Sequence, residues 1–221
     1  MKKILLIAAS LLLLPLFCNA QEEDITTTWP YLYQDFQDGT IYMKGGQKLV
    51  QKLNVHVGHS ELHFIDKDVV RRAVLKDVLV VEIGSDSYMN YENSMLKVTA
   101  KNDKGFIGVL RTGDFAALAE SGGAYGTSSS TSATMKLSSI DTGNTLGMNH
   151  MLLLQNKHDG KSLDLITKYY IVTPEFSCQA TKKELDKAFA DRAAEWKAFL
   201  KANKIRWNNP ESLAVILDFL N

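Results

Sequence analysis

Leu96-Lys97-Val98-Thr99-Ala100-Lys101-Asn102-Asp103-Lys104-Gly105-Phe106-Ile107-Gly108-Val109-Leu110 is the stretch from which the fold is read. Two apolar or alternating runs flank Asn102-Asp103-Lys104-Gly105, residues that favour a reversal of the chain, so the segment predicts an antiparallel hairpin. The same grammar continues upstream. Thr40-Ile41-Tyr42-Met43 ends at Gly45-Gly46, and Lys48 to Val57 alternates with Leu49, Gln51, Leu53, Val55 and Val57 on one side. Glu61 to Ile65 alternates again, with Leu62 and Phe64 inward, and Val78 to Ile83 precedes the turn residues Gly84-Ser85-Asp86-Ser87. Turn chemistry at such short intervals predicts an antiparallel meander, flat or rolled into a partial barrel.

Downstream, residues 121–134 change character: eleven of the fourteen are Ser, Thr or Gly, interrupted by Ala124, Tyr125 and Ala133. Small polar residues offer little burial energy against the entropy of ordering, so a long loop is expected there. Met148 to Leu154 and Leu163 to Val172 read as the last long strands, joined by Asn156-Lys157-His158-Asp159-Gly160. The C-terminus differs in kind. Thr181-Lys182-Lys183-Glu184 is a capping box, and Leu185, Phe189, Trp196, Phe199 and Leu200 follow at helical spacing. Asn209-Pro210 opens a second stripe of Leu213, Ile216, Leu217 and Leu220. Two amphipathic helices in residues 181–221 should therefore pack on the sheet of residues 21–180, making one α+β domain.

The precursor has 25 basic and 25 acidic residues, and 45% of its 221 residues are hydrophobic. That excludes a disordered chain and a strongly basic nucleic-acid binder. Its first twenty residues read as a signal peptide: Met1-Lys2-Lys3, then an apolar run from Ile4 to Phe17 too short to span a bilayer, then Cys18-Asn19-Ala20. Cleavage is expected between Ala20 and Gln21. Losing those twenty residues, Lys2 and Lys3 among them, leaves 201 residues and a net charge of −2. Neither nucleic acid nor an anionic membrane is then an expected partner, and no transmembrane span or cofactor is expected. Lipoprotein processing at Cys18 would need a small preceding residue, and Phe17 is bulky, so a soluble exported chain, periplasmic or extracellular, is favoured. Cys178 remains as a lone free thiol, and neighbouring Phe176 points to its burial.

Several segments resemble a group of uncharacterised exported bacterial proteins. They are Pro30-Tyr31-Leu32-Tyr33-Gln34-Asp35-Phe36-Gln37-Asp38-Gly39-Thr40-Ile41-Tyr42, Leu53-Asn54 with the hairpin to Glu61-Leu62-His63-Phe64-Ile65-Asp66, Ala124-Tyr125-Gly126, and Lys204-Ile205-Arg206-Trp207-Asn208-Asn209-Pro210-Glu211-Ser212-Leu213. The resemblance implies a β-rich envelope protein and brings no activity with it.

Chemistry-bearing candidates are few. If residues 57–60 form the turn, His56, Glu61 and His63 share one face of a hairpin, a set that a transition metal could accept. The bland reading of the same residues is a solvated outer face. Asp141-Thr142-Gly143 resembles the catalytic turn of aspartic proteases, where two carboxylates share a proton, so one triplet would require a homodimer. Its flanks, Ser138, Ser139 and Asn144, argue instead for an ordinary turn. Ser94 and Lys97, with Arg111-Thr112-Gly113, imitate penicillin-recognising enzymes, but that chemistry needs a helix where a strand is expected. Trp29, Tyr31, Tyr33, Tyr42, Tyr88 and Tyr91 could stack on a ligand or fill the core, with Tyr125 on a lid. The favoured reading is a non-enzymatic binding or interaction module, ahead of a secreted hydrolase using Asp141.

Overall fold

The computed structural model describes residues 26–114 and 162–220. The leader with Cys18, Ala20 and Gln21, the Ser/Thr/Gly segment 121–134 with Tyr125, Asp141, and the expected strand 148–154 with its following turn lie outside the described residues.

Among the described residues the chain forms β1 (Thr26–Thr27), β2 (Gln37–Met43), β3 (Lys48–His56), β4 (Glu61–Asp66), β5 (Val69–Arg72), β6 (Val78–Ile83), β7 (Asp86–Tyr91), β8 (Ser94–Lys101) and β9 (Phe106–Gly113). Then come β10 (Leu163–Val172), β11 (Ser177–Gln179), α1 (Lys182–Ala188), α2 (Ala193–Asn203) and α3 (Pro210–Ala214). The strands make one open antiparallel sheet in the order β1-β10-β9-β8-β7-β6-β2-β3-β4-β5, with β11 also on β10. The α+β meander expected from the sequence is thus the fold, and the sheet does not close into a barrel.

The decisive hairpin forms as its residues require. Asn102 Oδ1 accepts hydrogen bonds from Lys104 N (2.9 Å) and Gly105 N (3.1 Å), and Asn102 N donates to Gly105 O at 2.9 Å. A Cβ on Gly105 would lie 2.4 Å from the carbonyl oxygen of Val172, so glycine is needed there by the close approach of β10. Two other strands escape sequence reading. β5 and β7 are bounded by two-residue turns, Lys67-Asp68 and Glu92-Asn93, whose residues take left-handed φ values of 47° to 65° without a glycine. Asp86 and Ser87, which read as turn residues, begin β7, and the turn is confined to Gly84-Ser85.

Register fixes which side chains meet. Ile41, Val81, Tyr88, Lys97, Val109 and Tyr169 lie in one cross-strand row from β2 to β10 and so share the inner face. At the β2–β4 end that face is filled by Ile41, Leu53, Val55, Leu62, Val81 and Ile83. At the other end Ile107 and Ile171 are capped by Leu185, Phe189, Trp196, Leu213, Ile216 and Leu217 of the C-terminal helices. The sheet curls between these ends until the β3–β4 tip reaches β8 and β9: Met95 N donates to Ser60 O at 2.7 Å and Gly113 N to Val57 O at 2.8 Å.

The first amphipathic stripe is not one helix. Thr181 Oγ1 caps it by accepting from Glu184 N at 3.3 Å, but α1 stops before Phe189, whose backbone (φ −107°, ψ 28°) leaves the helical region, and a 3₁₀ turn over Ala190–Arg192 leads into α2. The break aims two rings at one target: Phe189 and Trp196 meet Phe219 with centroids at 5.0 and 5.2 Å, while the Arg192 guanidinium sits 4.4 Å from its ring. Burying each such side chain contributes roughly 1.5–3 kcal/mol. Removal of residues 181–221 uncovers Ile107 and Ile171 and is expected to produce an aggregating chain with altered near-UV circular dichroism. A truncated chain that stays soluble with the full-length spectrum would show that the helices do not hold the sheet.

Candidate functional site

The two clusters of interest lie on opposite faces of the sheet and are organised by the same side chain. Asn54 of β3 is fully buried, and its amide makes the bonds of a missing strand: Oδ1 accepts from Tyr33 N (3.1 Å), while Nδ2 donates to Tyr33 O (2.9 Å) and Asp35 O (3.2 Å). Alongside, Leu32 N donates to Val55 O and Val57 N to Pro30 O, both at 2.9 Å. Residues 30–33 therefore run beside the end of β3, where β2 no longer pairs with it. Tyr31 bridges to His56 and so lies on the outer face, whereas the chain bends over residues 32–35 and this departure from strand alternation lets Tyr33 reach Asp86 and Tyr88 on the inner face.

On the outer face the turn falls at residues 57–60 as expected, with His56 opposite Glu61, and His63 between Asn54 and Arg72. The face is not solvated, however. Trp29, Tyr31, Phe36 and Val70 cover it, and both histidines have no exposed surface. The two imidazoles stack with centroids 4.9 Å apart, and Tyr31 stands edge-on to each. Tyr31 OH and His63 Nδ1 share a hydrogen bond of 2.9 Å, and Glu61 Oε2 lies 3.5 Å from Nε2 without a hydrogen bond to it. Burial, with the Arg72 charge adding to it, lowers the His63 pKa from 6.5 to about 4, so the ring is neutral at pH 7. Arg72 pairs with Glu61 at 3.1 Å, and these two line a cleft of about 330 Å³ with Ala73, Val74, Leu75 and Asn93. Glu61 thus separates His63 from that cleft.

The sequence candidates His56, Glu61 and His63 are brought together, yet among the described residues no group of three or more His, Cys, Asp or Glu is placed to hold a metal ion. One nitrogen of each ring is already engaged in a hydrogen bond, that of His63 with Tyr31 OH and that of His56 accepting from Gly58 N at 3.1 Å. The trio forms a packed polar core.

The inner face holds a cluster that sequence reading did not assemble. Tyr33 OH donates to Asp86 Oδ2 at 2.6 Å and lies 2.6 Å from Tyr88 OH, and Lys97 Nζ reaches the same Asp86 oxygen at 2.7 Å. Arg111, two residues along β9 from Val109, faces the same side. Burial alone would raise the Asp86 pKa, but hydrogen bonds from Lys97 and Tyr33 and the charges of Lys97 and Arg111 outweigh it and hold the carboxyl below its ordinary range. Burial pushes Tyr88 up to about 12 and, with Tyr88 and Asp86 beside it, drives Tyr33 well above the usual phenol range. Both hydroxyls therefore keep their protons and act as directed donors. This row is only partly closed: the Lys97 and Asp86 side chains retain 32% and 22% of their exposure.

The remaining candidates resolve simply. Ser94 and Lys97 sit on β8 three residues apart, hence on opposite faces, and Ser94 pairs with Tyr91 while Lys97 pairs with Tyr88. Trp29, Tyr31 and Tyr88 are core residues; Tyr42 donates to Glu82 at 2.7 Å, and Tyr91 packs on Tyr170 at 5.4 Å. Cys178 is free and half-buried, and burial, reinforced by Glu184, pushes its thiol up and keeps it protonated. Among the described residues no helix is long and apolar enough to cross a membrane. In comparison with known proteins, the chain matches no family, no curated protein and no solved structure.

The buried His63 gives the fold a pH dependence whose sign follows from its lowered pKa. Between pH 6.5 and about 4 the unfolded chain binds a proton that the folded chain refuses, so stability present above pH 6.5 is lost as the pH falls toward 4, by on the order of 3 kcal/mol. Urea unfolding across this range should show the loss, and H63Q should flatten it while keeping an acceptor for Tyr31. Equal pH slopes for the two proteins would remove His63 from this role.

Proposed function

We infer that this is an exported protein of the bacterial envelope that binds a small ligand and carries out no reaction on it, and that the ligand enters the inner face at Tyr33, Asp86, Tyr88, Lys97 and Arg111. The observation that carries the reading is the contrast between the two polar clusters: the histidines are sealed, whereas in the inner-face row a phenol, a carboxylate, an ammonium and a guanidinium, those of Tyr33, Asp86, Lys97 and Arg111, keep part of their surface in solvent over the buried Tyr88. Convergent polar groups set among apolar walls are the usual composition of a ligand pocket. Protonated phenols and a carboxylate held ionised by Lys97 suit recognition, since none is primed as a nucleophile or general base near neutral pH. Export rests on Met1-Lys2-Lys3, the apolar run to Phe17 and the small residues before Gln21, together with the resemblance to exported envelope proteins.

Two measurements test this. Expressed in a bacterium with its own leader, the protein should appear in the osmotic-shock fluid with the mass of a chain beginning at Gln21; a full-length mass, or a diacylated chain beginning at Cys18, contradicts soluble export. The mature chain dialysed against small-molecule envelope extract should retain a compound that a Y33F/K97M variant does not. Equal retention by both proteins would move binding away from the inner face, and no retention by either would reject the binding reading.

A further inference from the structure

We propose that the inner-face cluster is a site for a small hydroxylated carboxylate, of the size and chemistry of a sugar acid, whose carboxylate is taken by Arg111. This rests on the binding reading above and specifies its ligand. The cluster's charges do not cancel. Asp86 is shared by two cations, Lys97 at 2.7 Å and Arg111, whose charge also acts on it, so among the described residues the row carries one positive charge in excess. Its Nε is buried and meets no hydrogen-bond partner among the described residues. A buried donor left unmade costs about 1–3 kcal/mol, and native structures keep few of them. The planar guanidinium fork matches a carboxylate bidentately, so one carboxylate would satisfy the donor and the charge together. A phosphate dianion would bring a second negative charge toward Asp86, whose carboxylate already draws on both Lys97 and Arg111.

The hydroxyl preference comes from the tyrosines. Tyr33 donates to Asp86, so in the 2.6 Å contact between the two phenols Tyr88 donates to Tyr33. Both protons are committed, which leaves a lone pair on the Tyr33 oxygen and the second Asp86 oxygen as acceptors for ligand hydroxyls. Lys97 has further N–H donors beyond the one given to Asp86. Tyr33 meets the buried Tyr88 edge to face, with centroids 6.5 Å apart and a 75° interplanar angle, so the aromatic surface beside these polar groups is that of the half-buried Tyr33. Carboxylate, hydroxyls and an apolar ring face are the complement of that surface.

The test uses the full mature chain with sodium D-glucuronate as probe, D-glucose as the neutral counterpart, and inorganic phosphate, each titrated by calorimetry at pH 7. Glucuronate should bind at least about tenfold more tightly than glucose or phosphate, and R111Q should weaken glucuronate about tenfold or more while leaving glucose unchanged. The thermal midpoint of ligand-free R111Q should equal or exceed that of the parent, because the unpaired donor is gone; a purely structural Arg111 would instead lower it. R111K, which keeps the charge without the fork, serves if R111Q does not fold and should give intermediate affinity. Glucose binding as well as glucuronate, tighter binding of phosphate, or glucuronate binding indifferent to both Arg111 variants overturns the proposal. If the compound retained from envelope extract is neutral and its retention depends on Tyr33 and Lys97, the sugar-acid proposal fails while the binding module stands; if nothing is retained and no probe binds, both fail.

Discussion

The amide of Asn54 is the contact on which the rest of this structure depends. It closes three hydrogen bonds to the backbone of residues 33–35 from a fully buried position, doing for an irregular segment what a strand ladder does elsewhere. Because the segment bends over residues 32–35 as it is held there, Tyr31 and Tyr33, which strand alternation would leave on one face, are sent to opposite faces. Tyr31 closes over the histidines, and Tyr33 reaches through to Asp86 and Tyr88. One side chain thereby sets the sealed polar core and the open polar row at once.

A long meander must hide two faces and two edges, and this chain solves the problem unevenly. The inner face is filled at one end by the curl of β2 to β4 on themselves and at the other by the C-terminal helices. Between these apolar ends lies the row of Asp86, Lys97 and Arg111. Charged groups in such a place weaken a core unless they are paired, and Arg111 is the member whose Nε finds no partner among the described residues. His63 Nε2 and Asn90 Oδ1 are orphaned among them as well, but Arg111 Nε alone of the three belongs to a side chain that carries a fixed charge.

Much of the architecture was legible because it is written in short-range chemistry. The Asn102–Gly105 turn, the Thr181 and Asn209 caps and the stripe of Leu213, Ile216 and Leu217 each follow from residues within a few positions of one another, and each forms. β5 and β7 were not legible because Lys67-Asp68 and Glu92-Asn93 adopt left-handed turns without glycine, and because the Asp86–Tyr91 strand is polar on both sides. The break at Phe189 was invisible for another reason: its cause is Phe219, thirty residues away in sequence and in contact only after folding.

The candidate sites divide in the same way. Alternation and the turn at residues 57–60 placed His56, Glu61 and His63 on one face from sequence alone, since strand period and cross-strand register are local properties. Whether that face met water could not be local. It was decided by residues 29–36, which cover it, and burial then turned three possible metal ligands into a packed polar core in which His63 is neutral. The inner-face row draws on Tyr33, Asp86, Tyr88, Lys97 and Arg111, residues from an irregular segment and three strands that no spacing rule connects. Sequence by itself determined the sheet, its hairpins and the helices that cap it, because those rest on backbone preference and apolar period. Only the tertiary structure decided which polar groups are sealed and which remain in reach of a ligand, because burial is a property of distant segments packed together.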